Sequence, residues 1–187
     1  MIILAPPLGI YHSMNLGLEK TETEYCMFLN GGDEMIDFSQ FAHLYNKIQG
    51  KLWGYGGTEL YESAMEKRRK YFFVPYSKFL HKFSIKYVPH CSTIFKTNHL
   101  KKLGGYNDFF GTAADQAVML SFALSERPVT QRKILTRFYL GGESTRSKNS
   151  IIGDYKLIEM HMRNGGWFEN LTAAIMWFLV SFARKWL

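Results

Sequence analysis

Apolar residues recur along the chain at spacings that separate helices from strands. Ile10, Met14, Leu16 and Leu18 have an imperfect helical spacing, which predicts a helix within Gly9–Glu19. Phe38, Phe41, Leu44, Tyr45 and Ile48 fall on one face of a second helix over 37–49. Asp37 or Ser39 can cap its start, and Gly50 stands just past its end. A short helix from Thr97 to Leu103 is stopped by Gly104 and Gly105. Another runs from Ala113 to Glu126, with Ala114, Val118, Met119, Phe122 and Ala123 apolar and Asp115 in its first turn. Residues 151–164 read as a further helix. Strands are predicted at 2–5, ended by Pro6 and Pro7, at Tyr25–Leu29, and at Val129–Leu140. Residues 85–95 read as a strand pair or one kinked strand. Between Lys51 and Val74 the chain is β-like and loop-rich, with Gly54, Gly56 and Gly57 as punctuation.

Composition narrows the class. A chain of 187 residues with 47% hydrophobic and 16% aromatic residues can bury a sizeable core and is globular rather than disordered. Its net charge of +7 implies an anionic counterpart: nucleic acid, a membrane surface or a phosphorylated substrate. Cys26 and Cys91 both sit in apolar runs, which favours buried free thiols over a disulfide. The segment Met1–Pro7 lacks the basic start of a signal peptide, and no apolar stretch is long enough for a confident transmembrane helix.

Two stretches carry charge or apolarity in excess. Lys67-Arg68-Arg69-Lys70 precedes Tyr71-Phe72-Phe73-Val74-Pro75-Tyr76, a pattern that suits nucleic-acid stacking, lipid headgroups or a solvated loop. Recognised nucleic-acid motifs are absent, so the expectation is no nucleic acid. From Leu171 to Ala183 thirteen residues carry no charge, and Arg184-Lys185-Trp186-Leu187 close the chain. That run suits a terminal helix at a membrane interface, docked on a partner chain, or packed on its own domain.

The chemistry concentrates in Tyr25-Cys26-Met27-Phe28-Leu29-Asn30-Gly31-Gly32-Asp33-Glu34, an apolar run breaking into glycines and carboxylates. Glycines permit a sharp turn and close approach of a ligand. Carboxylate oxygens suit Mg²⁺ or Mn²⁺ bridging phosphates. The same residues also read as a polar turn, with Asp33 near the next helix start.

Several segments, in order, resemble those of bacterial family 2 glycosyltransferases. Gly9-Ile10-Tyr11-His12-Ser13-Met14-Asn15-Leu16-Gly17 resembles GIYDAMNKG, and Phe28 to Glu34 resembles FLNSGDE, at the position of the DxD metal motif. His90 to Phe95 resembles HQATFF. Leu103-Gly104-Gly105-Tyr106-Asn107 resembles LGGYDE, and Ala113-Ala114-Asp115 resembles AAD. Gly141-Gly142-Glu143-Ser144 then follows as the counterpart of the family's LGGxS segment.

The resemblance implies an α/β fold: a partial GT-A (nucleotide-diphospho-sugar transferase-like) mixed sheet flanked by helices over 1–150. A C-terminal apolar helical extension, 151–187, would lie at the membrane interface. It implies transfer from a nucleotide-sugar donor to a polysaccharide or lipid-linked acceptor, in cell-surface glycan synthesis at the inner face of the membrane. Asp115 would be the catalytic base of an inverting displacement. Asp33 and Glu34 would hold a divalent cation, Mg²⁺ or Mn²⁺. Asn30, Asp33, Gly141, Gly142 and Ser144 would line the nucleotide-sugar site, and His90 the acceptor or leaving-group side. His90 can equally be a structural histidine, and Asp115 a favourable charge in a helix first turn.

The sequence departs from the pattern at two places. His12 replaces the family's Asp after Tyr, and Asn30 and Gly32 stand where further carboxylates of a DxD would be. The family's nucleotide-holding PTYN-like and DGSTD-like segments also precede the part matched here. The expectation is therefore either a partner chain that supplies that half or a truncated, inactive remnant.

Overall fold

A computed structural model describes residues 8–62 and 65–141, together with Lys156 and Ile175. The elements in chain order are α1 (Ile10–Lys20), β1 (Tyr25–Cys26), β2 (Glu34–Met35), α2 (Phe38–Lys47), β3 (Trp53–Glu62), β4 (Lys67–Tyr71), α3 (Lys78–Lys82), β5 (Thr93–Lys96), α4 (Thr97–Lys102), α5 (Ala114–Ser125) and β6 (Val129–Tyr139). Short 3₁₀ turns at His90–Ser92 and Asp108–Ala113 lead into β5 and α5.

The fold is α/β, with one mixed sheet in the order β1-β5-β3-β6-β2. β3 is its axis. One edge pairs in parallel with β6, from Gly54 opposite Val129 to Tyr61 opposite Tyr139. The other edge is shared: β5 takes residues 53–55 and β4 takes 58–62, both antiparallel. β4 is therefore an outer strand beyond the point where β5 ends.

Helices cover both faces. Trp53, Tyr55 and Phe95 pack with Met14 and Leu18 of α1, Leu100 of α4 and Phe122 of α5. On the opposite face Leu44 and Ile48 from the α2 segment meet Tyr25, Ile94 and Leu135, with Phe41 packed alongside. The helical periodicity of 37–49 thus becomes a stripe in which Leu44 and Ile48 are buried and Phe41 is half-buried, while Phe38 and Tyr45 are left exposed. Asp37 and Ser39 act together at that start, because Asp37 Oδ1 accepts from Gln40 N at 3.0 Å and from Ser39 Oγ at 2.7 Å.

Four stretches differ from the sequence expectation. The glycines at 54, 56 and 57 lie inside β3 rather than in loops. A Cβ at Gly54 would stand 2.6 Å from Ile48 Cγ2, and one at Gly56 2.7 Å from Leu135 Cγ. These glycines admit close neighbours to a central strand instead of breaking it. The expected strand at Tyr25–Leu29 keeps its ladder only at Tyr25 and Cys26, where β5 pairs with it through Lys96 and Phe95. Residues 85–89 form no strand, and α3 is an addition to the expected elements. The expected helix over 151–164, the strand at 2–5 and the apolar run 171–183 lie outside the described residues. Among the described residues no helix is long and apolar enough to cross a membrane. Cys26 and Cys91 are free thiols, half-buried and buried respectively.

Candidate functional site

The glycine-rich stretch turns back on itself before β2. Asp33 N donates to Asn30 O at 3.0 Å, and Gly32 takes φ +96°, a left-handed value that favours glycine. The turn sets Asp33 against the end of β6, where Tyr139 N donates to Asp33 Oδ1 at 3.3 Å. Asp33 Oδ2 is buried and has no hydrogen-bond partner among the described residues. Burial pushes the Asp33 carboxyl up to about 6, with the Tyr139 N–H opposing.

Glu34, the adjacent candidate ligand, is already engaged. Its Oε2 pairs with Arg137 Nη1 at 2.9 Å, and its Oε1 accepts from Tyr139 Oη at 2.8 Å. Arg137 Nε also donates to Glu59 Oε2 at 2.7 Å. Glu34 thereby ties β2 to β6, where its Cα partner is Arg137. Among the described residues no three His, Cys, Asp or Glu side chains gather as a metal site. A cation here would find Asp33 Oδ2 as its uncommitted carboxylate oxygen, and would draw its remaining ligands from phosphate or water.

The second half of the site lies on the helical side. His90 is buried, with Nε2 2.8 Å from Tyr106 Oη. Burial pushes its imidazole down to about 4, so it is neutral at pH 7 and orients its neighbours without carrying charge. Phe28 stacks on His90 with ring centroids 6.0 Å apart and meets Tyr106 edge-on at 5.3 Å. Tyr11 also joins this group, stacked 5.6 Å from Tyr106.

Asp115 closes the series. Its Oδ1 accepts from Gln116 N at 2.7 Å and its Oδ2 from Gln116 Nε2 at 3.4 Å. Tyr11 lies beside it, donating to Thr112 O at 3.0 Å. Burial first, and then the Asp115 carboxylate, push the Tyr11 hydroxyl far above its usual range. Gln116 is itself fixed by Val88 N at 3.1 Å and His81 Nε2 at 3.1 Å, and His81 meets Tyr76 Oη at 3.0 Å. Asp115 therefore stands at the mouth of a buried polar network.

The Asp33 charge is also felt at Cys91, the residue after His90 in the chain. Burial raises the Cys91 thiol and its bond to Thr136 opposes, but the Asp33 charge raises it further. Tyr11, Phe28, His90, Tyr106 and Asp115 thus form one connected group, while Asp33 sits apart at the end of β6 beside Tyr139. Asn30 contributes the carbonyl of the Asp33 turn. Gly141 follows β6 with φ +112°. Gly142 and Ser144 lie outside the described residues.

Tyr11, Tyr106, Gln116 and Arg137 are site residues that sequence reading did not assign. Tyr11 and Tyr106 lie in the segments that resemble the family's, so a signal existed. Gln116 and Arg137 carry none, because only pairing across the fold brings them in. A surface recess of about 400 Å³ between Tyr76, Lys78 and Ala123–Arg127 lies at the other end of α5, and none of these site residues lines it.

The chain is 32% identical over 167 residues to an uncharacterized glycosyltransferase of Mycobacterium tuberculosis, strain CDC 1551 / Oshkosh. It has the same identity to an uncharacterized glycosyltransferase of strain ATCC 25618 / H37Rv. Each match covers 84% of this chain and 62% of the relative, so the chain spans less than two thirds of the curated relatives it matches. No family model matches the chain.

Proposed function

We propose that the chain belongs to a family 2-like, inverting glycosyltransferase of GT-A type. The observation that supports this reading is the half-buried Asp115 beside the Tyr11–Tyr106–His90 group, together with the similarity to proteins named glycosyltransferases. Asp115 is half-buried at a helix start and serves as the base. An acceptor hydroxyl gives its proton to Asp115 as its oxygen bonds to the anomeric carbon. The bond from that carbon to the donor's diphosphate oxygen breaks, and the nucleoside diphosphate leaves.

Asp33 faces the diphosphate side. A divalent cation bound there through Asp33 Oδ2 would neutralise the departing diphosphate. Asn30 and the Gly141–Ser144 segment line the donor, and His90 shapes the acceptor side through Tyr106. The donor is a nucleotide sugar, and the acceptor a glycan or lipid-linked glycan in cell-surface assembly.

A second reading, an inactive remnant or interaction subunit, is favoured by the engagement of both Glu34 oxygens. Isothermal titration with UDP- and GDP-sugars, with and without Mn²⁺, separates the two. Micromolar binding that needs Mn²⁺ and is lost in Asp33→Ala supports the enzyme. No detectable binding of either donor, with the fold intact by circular dichroism, supports the subunit.

A further inference from the structure

We propose that the outer edge of β4 is a docking edge for an anionic membrane surface. Lys67, Arg68, Arg69 and Lys70 follow one another along this strand, and all four are exposed. Glu59 and Glu62 of β3 stand opposite Lys70 and Lys67, but Glu59 is committed to Arg137. Charged side chains, lysine above all, discourage edge-to-edge pairing, and here they run unbroken over four positions. Three carboxylates, counting exposed Glu66 just before the strand, stand against four cations, and Glu59 is engaged by Arg137, so the edge keeps a net positive charge.

The geometry suits a plane. Alternation along the strand sends Lys67 and Arg69 to one face of the sheet and Arg68 and Lys70 to the other. Arg68 lies over the Tyr61 ring of β3, 5.6 Å from its centroid, while the long Lys67, Arg69 and Lys70 side chains can meet a flat surface laid along the edge.

Apolar side chains flank the cations at both ends. Met65, before the strand, is 69% exposed. At the far end Tyr71 Oη donates to Tyr87 O at 2.8 Å and accepts from Tyr87 N at 3.1 Å, which brings exposed Ile85 and Lys86 alongside. Cations bordered by apolar side chains suit headgroups with acyl chains beneath them. Nucleic acid is disfavoured, because the aromatics after the strand are not presented for stacking. Phe73 and Tyr76 are buried, and Phe72 lies under Arg132 and against Gly57.

The edge also lies beside the candidate site. Tyr61, opposite Arg68 on β4, meets Tyr139 at 5.1 Å, and Tyr139 holds both Asp33 and Glu34. Docking along β4 would hold this end of the sheet close to the membrane surface.

The test is co-sedimentation of the full chain with phosphatidylcholine vesicles, with and without phosphatidylglycerol. Binding should require phosphatidylglycerol and weaken at least tenfold in the K67Q/R68Q/R69Q/K70Q variant. The charge-conserving K67R/R68K/R69K/K70R variant should bind like the wild type. Wild-type binding should also weaken at least tenfold between about 0.01 M and 0.15 M salt, as the Debye length falls from about 30 Å to 8 Å. That arm stands even if the glutamine variant fails to fold. Equal binding to neutral vesicles, or full binding by the folded glutamine variant, overturns the proposal and assigns attachment to another segment. Tighter retention on duplex DNA than on phosphatidylglycerol vesicles at the same salt also overturns it.

Discussion

Asn15 holds the backbone of Tyr106 from 91 residues away: its Nδ2 donates to Tyr106 O and its Oδ1 accepts from Tyr106 N, both at 2.8 Å. This pair fixes α1 to the turn after α4, and so sets the Tyr106 hydroxyl on His90. Gly105 is required beside it. Its φ is +70°, and a Cβ there would collide with Asn15 Oδ1.

Removing that clamp should cost stability and site geometry together. Asn15→Ala leaves two part-buried backbone groups unpaired, at about 1–3 kcal/mol each. A stability loss of about 2 kcal/mol or more in urea denaturation is the expected result. Gly105→Ala should be similarly harmful, and unchanged stability in both would show the clamp to be idle.

Glycine positions give an opposed pair of outcomes. At Gly56 a Cβ would stand 2.7 Å from Leu135 Cγ and 2.9 Å from Lys133 O, so Gly56→Ala should destabilise by about 1–3 kcal/mol. Gly17 lies inside α1, where an added methyl group would meet nothing within 4 Å, so Gly17→Ala should stabilise by about 0.5–1 kcal/mol. Chemical denaturation of both variants checks the signs.

Asp33 predicts an inverted acid response. Its carboxyl titrates at about 6 in the folded chain and at about 3.9 when unfolded, so the native state holds the extra proton between those values. Its contribution therefore falls as pH rises from about 4 to about 6, and the ionised group is a burden at neutral pH. Asp33→Asn should raise the denaturation midpoint at pH 7 and leave it near wild type at pH 4. A midpoint lowered at pH 7 would contradict this.

Asp115 is tested in an active enzyme that contains this chain. Asp115→Asn should reduce transfer by at least about a hundredfold while donor affinity stays within a few-fold, as expected when a general base is lost. Transfer rates and titration with the donor measure the two effects separately. Retained turnover would exclude the base assignment.

Elements with local signals were legible in the order of residues. Phe41, Leu44 and Ile48 marked the buried face of α2 with Asp37 at its cap, and Gly104 and Gly105 marked the stop of α4. The quoted segments also pointed to Asp33, His90 and Asp115. How these residues are used depended on packing across the fold. It placed Gly54, Gly56 and Gly57 inside the central strand, where close neighbours replace side chains. It made Lys67–Lys70 an outer strand and engaged Glu34 with Arg137 and Tyr139. The reason is physical: periodicity and capping are settled within a turn or two of chain. Strand pairing, by contrast, joins residues such as Glu34 and Arg137, 103 positions apart. Only the packed sheet can specify that choice of partner.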